Sequence, residues 1–466
     1  MKPLKSKWQM LLYGCAGMGV NMLNLIVGSY LCSALLVGGF NENVEFWTFA
    51  NKDLVIAGVW SVFVLVAKIL DGVIDIPMAS WTDNMRTRFG RRRPAIFIGL
   101  VVMVLAYLAF LIPMQDGATI VNTVFYGLTL CVFYSFYTLT MVTYYSTFSE
   151  IVETEENRMF LSNVKSVCDI VYFILGYALL PMLVKGAINI KIVALIFLPL
   201  VLTMLIPFFM IKGDDNRFSS DEREKSVNLF KSVAYTLKDK TFLLWMLVYS
   251  FMTMGVQLFL GGINEFFSTN GLSMTLVMIG AFLPVPFTLM LFNKITKKRG
   301  FGFSFGYTLI VFAVGMIGMF FGQAIGDKTI KLVVAILSAV VCSFGIGSLF
   351  SVAYSIPSQL AVEEERRSGV SHSAMYFAVQ GLFAGVASGI ATGLILVALK
   401  DNTLPLFGIK VEEVVDGVKT GNLVDPSAVV LMTLLAGVFC LIAFVLMRFL
   451  PERLKNFGKE QKADNE

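Results

Sequence analysis

The chain has 466 residues, 57% hydrophobic and only 15% charged, with 37 Lys and Arg against 32 Asp and Glu and a formal charge of +5. Soluble domains carry about 25% charged residues, so the composition argues against a water-soluble enzyme. The apolar residues come in blocks of roughly 20, each able to cross ~30 Å of hydrocarbon at ~1.5 Å per residue. The positive charges fall between the blocks, where membrane topology explains them better than nucleic-acid binding does.

Met1 to Lys7 is basic, but the apolar run after it is about 30 residues long and lacks a small-residue cleavage site, so it reads as a first span and not a signal peptide. The blocks predict twelve spans, at 9–38, 54–79, 94–113, 121–148, 161–185, 191–212, 241–268, 273–294, 304–325, 330–355, 371–398 and 426–449. With both termini cytoplasmic, all thirteen arginines lie inside, including the cluster Arg86, Arg88, Arg91, Arg92 and Arg93. Eight lysines, among them Lys52 and Lys400, then fall in outer loops. The expected organisation is a six-helix bundle over 1–212, a cytoplasmic linker over 213–240, a second six-helix bundle over 241–450 and a cytoplasmic tail over 451–466. The linker begins GDDNRFSSDEREKS, and Val227 to Leu237 suits an amphipathic surface helix. Asp401 to Pro426 is the one long outer loop. The six cysteines all lie in apolar blocks and show neither metal spacing nor a pairing pattern.

The two halves repeat. YSTFSEIVETEENR (Tyr145 to Arg158) follows the fourth block, and YSIPSQLAVEEERR (Tyr354 to Arg367) follows the tenth, 209 residues on. RTRFGRRRP follows the second block and TKKRGFG the eighth, with Gly90 and Gly300 separated by 210 residues. Two loops sharing nearly one offset indicate a duplicated six-helix unit. An all-α membrane protein of six plus six spans in parallel repeat is similar to the major facilitator transporters.

An ionisable side chain within a span costs at least ~2.5–3.5 kcal/mol near the bilayer centre. The second block holds three, Lys68, Asp71 and Asp75, at i, i+3 and i+7 on one helix face. They sum to −1, which one cation or one proton neutralises. Pro77 cannot bond the carbonyl of Val73, leaving an oxygen near the carboxylates. Oxygen donors suit a hard cation such as sodium. The structural alternative is an internal Lys68–Asp bridge that only fastens helices together.

The stretch Lys68 to Pro94 resembles the helix-two signature of the glycoside–pentoside–hexuronide:cation symporters, of melibiose-permease type. It carries basic-x-x-Asp-x-x-x-Asp-x-Pro and then Asp83, Arg86, Arg88, Gly90, Arg91 and Arg93-Pro94. Glu150 to Lys165 resembles the acidic loop of that family, with Asn157 for a usual glutamate and Lys165 for a common arginine. The resemblance implies that Asp71 and Asp75 bind a coupling sodium, lithium or proton, with Thr138 a polar neighbour. Sugar-binding members have an aspartate in helix one, where Tyr13-Gly14 here leads to Asn21, and another in helix four, where Met141 stands. The helix-four aromatic is matched by Tyr145, and the basic residue of helix eleven becomes Gln380.

Asn21 and Asn24 share a face of the first block, and Tyr134, Thr138, Met141 and Tyr145 a face of the fourth. With Gln257 and Gln380 they are the candidate solute contacts; helix–helix adhesion is the alternative. Lys165 and Asp169, at i, i+4, are expected to pair as a gate or structural bridge. Asn264 and Glu265 lie near an outer span end, where snorkelling explains them. His372, the only histidine, is expected to be solvated. Asp83, Arg86, Arg91, Glu150, Arg158, Glu364 and Arg367 are candidates for an ion-pair lock at the cytoplasmic mouth, with simple positive-inside anchoring as the alternative.

No nucleotide motif, His cluster or nucleophile–base pair is present, so neither catalytic residues nor a cofactor are expected. The sequence predicts a cation-coupled secondary transporter, driven by Na+ or H+, carrying a glycoside or related small solute by alternating access. The alternative is an amphipathic, lysolipid-like solute, suggested by the missing aspartates. The expected partners are solute, monovalent cation and bilayer, without nucleic acid, in a monomer of the plasma or bacterial inner membrane.

Overall fold

A computed structural model describes all residues except 1–3, 5, 39, 41–43, 86, 91, 148–150, 152–154, 212–236, 369–372, 401–409, 416–417, 425–426 and 460–466. Among the described residues twelve helical segments are long and apolar enough to cross a bilayer. Spans 1 to 6 are Lys7–Leu35, Ala57–Asp75, Arg92–Phe110, Ile120–Tyr145, Val167–Val184 and Ile190–Met210. Spans 7 to 12 are Lys240–Gly261, Met274–Arg299, Phe301–Gly322, Lys328–Ser348, Val379–Lys400 and Val429–Met447. The chain divides into two compact units, Met1–Glu224 with spans 1 to 6 and Lys225–Glu466 with spans 7 to 12.

The duplication is visible in the backbone. Gly90 and Gly300, paired by the sequence offset, both take positive φ, 78° and 87°, which a side chain would strain. Glycine also permits matching close approaches. A Cβ on Gly19 of span 1 would lie 1.8 Å from the Leu200 carbonyl of span 6, and one on Gly255 of span 7 would lie 2.8 Å from the Ala436 carbonyl of span 12. Small residues let membrane helices touch backbone to backbone.

Several spans are broken, which the apolar blocks do not reveal. Span 1 is α-helical over Lys7–Cys15, interrupted at Ala16 and Gly17, resumed over Met18–Ile26 and π-helical over Val27–Leu31. Carbonyls freed in an apolar medium need partners within the protein. The Tyr144 hydroxyl donates to the carbonyls of Tyr13 and Gly14, and the Thr203 hydroxyl to that of Ala16 at 2.8 Å. Span 7 stops at Gly262 and continues as Ile263–Asn270. Spans 5 and 11 carry π-helical turns at Leu175–Leu179 and Ile390–Ile395.

Two connections differ from expectation. The helix of span 10 runs from Lys328 to Ser368, 41 residues, instead of ending near 355. At ~1.5 Å per residue it is about twice the length a bilayer needs, because its polar continuation is rich in Ala, Leu, Gln, Glu and Arg, all good helix formers. The connection between spans 11 and 12 contains an antiparallel ribbon, β1 (Lys410–Val415) with β2 (Val418–Val424), pairing Lys410 with Val424 and Val415 with Val418. The expected linker lies mostly outside the described residues. Its end caps span 7, where Asp239 Oδ1 accepts from the amides of Thr241 at 2.9 Å and Phe242 at 3.3 Å.

Candidate functional site

The charged face of the second span rests on one uninterrupted helix, Ala57–Asn84, with Pro77 inside it. That continuity sets Lys68, Asp71 and Asp75 a turn apart on one side. Span 4 packs against this helix and supplies two partners one turn apart. The Thr138 hydroxyl donates to Asp71 Oδ1 at 3.0 Å, and the Lys68 ammonium lies 4.2 Å from the centre of the Tyr134 ring. A cation over an aromatic face is stabilised by the ring quadrupole. Among the described residues no ion pair within 4.0 Å joins Lys68 to Asp71 or Asp75, but the ammonium held over the Tyr134 ring still acts electrostatically on Asp71. The face therefore holds two carboxylates and one ammonium. Beside it, the Tyr134 hydroxyl is buried 3.3 Å from where a Cβ on Gly28 would sit. That hydroxyl and the Asn24 Oδ1 have no hydrogen-bond partner among the described residues.

A second polar cluster joins spans 1, 4 and 5. Asn21, on the helical segment that follows the span 1 break, donates from Nδ2 to the Tyr145 hydroxyl at 3.4 Å and accepts at Oδ1 from the Tyr137 hydroxyl at 3.1 Å. Lys165 and Asp169, on the helix Glu155–Ile174, pair at 2.5 Å, and the Lys165 ammonium lies 5.3 Å from the Tyr145 ring centre. Asn21 also faces the Asp169 carboxylate. The expected gate pair thus belongs with the candidate solute contacts. Met141 is buried against the break, its Cε 3.2 Å from where a Cβ on Gly17 would stand. Sequence reasoning missed Tyr137 and Tyr144. The spacing Tyr137, Met141, Tyr145 (i, i+4, i+8) carries the signal for the first; nothing in the sequence marks the second.

In the second unit Gln380 is buried and accepts from Trp245 Nε1 at 3.1 Å, with Trp245 against Phe301 and Phe305 at ring separations of 5.7 and 5.8 Å. Gln257 is half-buried on span 7. Glu265 and Lys400 correct the sequence reading. Neither snorkels nor lies free in a loop: they form an ion pair with side chains 0% and 3% exposed. The break at Gly262 brings the two ends together, because a Cβ there would strike Leu396 and Met432 at 2.5 and 2.6 Å. Of the expected lock, Arg86, Arg91 and Glu150 lie outside the described residues, as does His372, and only the backbone is described for Asp83, Arg158, Glu364 and Arg367. Among the described residues no group of three His, Cys, Asp or Glu is placed to hold a metal ion.

Twelve apolar spans in two repeated units, with ionisable clusters inside the spans, define a multi-pass membrane carrier. Residues 12–452 match the family model for MFS/sugar transport proteins, and the chain belongs to that family. It is therefore a transporter of the major facilitator superfamily and not an enzyme. The family includes the melibiose-permease-like symporters that the span 2 motif resembles. Among solved structures the chain is similar to a single-residue mutant of the nucleoside transporter NupG (TM-score 0.61, 13% identity, 95% of this chain and 99% of that one). It is also similar to a bacterial homologue of the human lysosomal transporter Spinster (0.59, 12%, 98% and 98%). A POT-family transporter in complex with 5-aminolevulinic acid is comparably similar (0.60, 14%, 96% and 99%). At these identities the likeness is one of fold. No curated protein matches the chain.

Proposed function

We propose that this transporter is a cation-coupled symporter, using Na+ or H+, for a glycoside or a related small neutral solute, with both termini in the cytoplasm. The observation that carries this reading is the face of Asp71 and Asp75 with its lysine turned onto Tyr134. Two carboxylates beside one ammonium leave a net charge of −1, which is costly away from water. A monovalent cation or a proton entering there removes that cost. Asp71, Asp75 and the Thr138 hydroxyl are its oxygen ligands.

The Asn21, Tyr137, Tyr145, Lys165 and Asp169 cluster has no net charge and offers donors, acceptors and ring faces, which suits a neutral hydroxylated solute. Span 4 links the two clusters, because Thr138 on the cation side directly follows Tyr137 on the solute side. A shift of Asp71 on cation binding therefore reaches the Asn21 amide through a single turn of helix. Asp83, Arg86, Arg91, Glu150 and Arg158 in the first half, and Glu364 and Arg367 in the second, are the residues proposed for ion-pair locking at the cytoplasmic mouth.

Thermal stability of the purified protein tests this reading against NaCl, pH and panels of glycosides and lysolipids. A ligand at ~100 times its Kd stabilises by ~2.7 kcal/mol. The expected outcome is stabilisation by a cation and a glycoside, with the cation response lost in Asp71→Asn. Stabilisation by lysolipids alone would move the solute to the amphipathic class. Absence of any response to Na+ or pH would end the coupling proposal.

A further inference from the structure

Cys15 and Cys168 take no part in either polar cluster, yet the fold places their sulfur atoms 2.8 Å apart. Both are free thiols. Cys15 is the last residue of the first helical segment of span 1, immediately before the break at Ala16 and Gly17. Cys168 lies on span 5 beside Asp169, one turn after Lys165. The two helices are in close contact at this level, since a Cβ on Gly14 would lie 2.7 Å from Val164 Cγ1. The separation exceeds the ~2.05 Å bonding distance of a disulfide by less than ~1 Å. Cys15 is half-buried and Cys168 is buried next to it.

We propose that Cys15 and Cys168 are a redox modification site: a peroxide converts them to a disulfide that staples the span 1 break to span 5 and stiffens it reversibly. The Cys15 sulfur attacks one peroxide oxygen, the O–O bond breaks, and water leaves behind a sulfenic acid. The Cys168 sulfur then attacks the Cys15 sulfur, the S–O bond breaks, and a second water departs as the S–S bond forms. Two thiols lose two electrons and two protons, and hydrogen peroxide becomes two waters. The stiffening follows from position: the Tyr144 bond to the Tyr13 carbonyl and the Asn21 bond to Tyr145 already tie both sides of the break to span 4, and the disulfide ties it to span 5 as well.

The experiment uses the full-length purified protein treated with hydrogen peroxide and digested without reduction. Peptide mapping by mass spectrometry is paired with amide hydrogen exchange over residues 13–21. The expected result is a Cys15–Cys168 linked peptide and exchange at the joint slowed by at least about tenfold, both reversed by dithiothreitol. Cys15→Ser and Cys168→Ser should each lose both effects. A chain with Cys32, Cys131, Cys342 and Cys440 all replaced by serine should keep them. Oxidation at separate cysteines without a linked peptide, or a linked peptide with unchanged exchange, overturns the proposal. Where a serine variant does not fold, mapping of the wild-type chain decides, because it identifies the linked residues directly.

Discussion

Replacing one member of the Lys400–Glu265 pair leaves the other charge where water does not reach it, with side chains 3% and 0% exposed. Breaking a buried pair from one side costs about 3–5 kcal/mol, so Glu265→Gln and Lys400→Met should each lower the unfolding free energy by that amount. Glu265 Oε2 has no hydrogen-bond partner among the described residues, so the carboxylate is incompletely satisfied even with the pair intact. An apolar pair should therefore serve about as well, and Glu265→Met/Lys400→Met should return to within about 1 kcal/mol of the parent. The double-mutant cycle then shows a coupling of several kcal/mol, against ~0.3–0.5 kcal/mol for independent sites. Lys52 and Asp116 supply an internal control: they pair at 2.5 Å but are 45% and 85% exposed, and Lys52→Met should cost under about 1 kcal/mol. Equilibrium unfolding in mixed detergent micelles, followed by tryptophan fluorescence, measures all of these. Single variants that each lose less than about 1 kcal/mol would show that water reaches the pair and refute the reasoning.

Asp71→Asn and Asp75→Asn each bring the span 2 face from −1 to zero. Both should lose ion-driven accumulation while keeping solute exchange, measured as counterflow in proteoliposomes; full accumulation in both would place coupling elsewhere. Asn21→Ala and Tyr145→Ala should weaken solute-induced thermal stabilisation by at least about tenfold in affinity, ~1.4 kcal/mol, with the cation response nearly intact. Tyr137→Phe should do so more mildly, since it loses only the hydroxyl that fixes Asn21. Single cysteines placed in 213–240 and in 401–426, in a chain lacking the native cysteines, should label from opposite sides of the membrane. Labelling of both from one side would contradict the topology.

The spans are legible in the sequence because about 20 apolar residues in a row serve little else, and the charged face of span 2 because i, i+3, i+7 is a helix period. The breaks are not. Ala16 and Gly17 interrupt span 1 where the Tyr144 and Thr203 hydroxyls bond the carbonyls of Tyr13, Gly14 and Ala16, and those partners are more than 120 residues away. Glu265 and Lys400 read as water-facing because each stands at the end of an apolar block, and a linear pattern cannot tell that the two ends meet. Tyr137 is lost among the aromatic residues of span 4, most of which pack helices. Span 10 shows a different limit: charged residues mark where a chain leaves the bilayer, not where its helix ends.

Cation coupling is tested most directly in proteoliposomes containing the purified protein, with radiolabelled melibiose and a panel of glycosides as probes and an imposed gradient of Na+ or of H+. A coupled carrier accumulates at least one probe above its external concentration under one of the two gradients. It releases that probe when the gradient collapses, and Asp75→Asn fails to accumulate it. Uptake that only equilibrates under both gradients, or accumulation undiminished in Asp71→Asn and Asp75→Asn alike, would contradict the role assigned to the span 2 carboxylates.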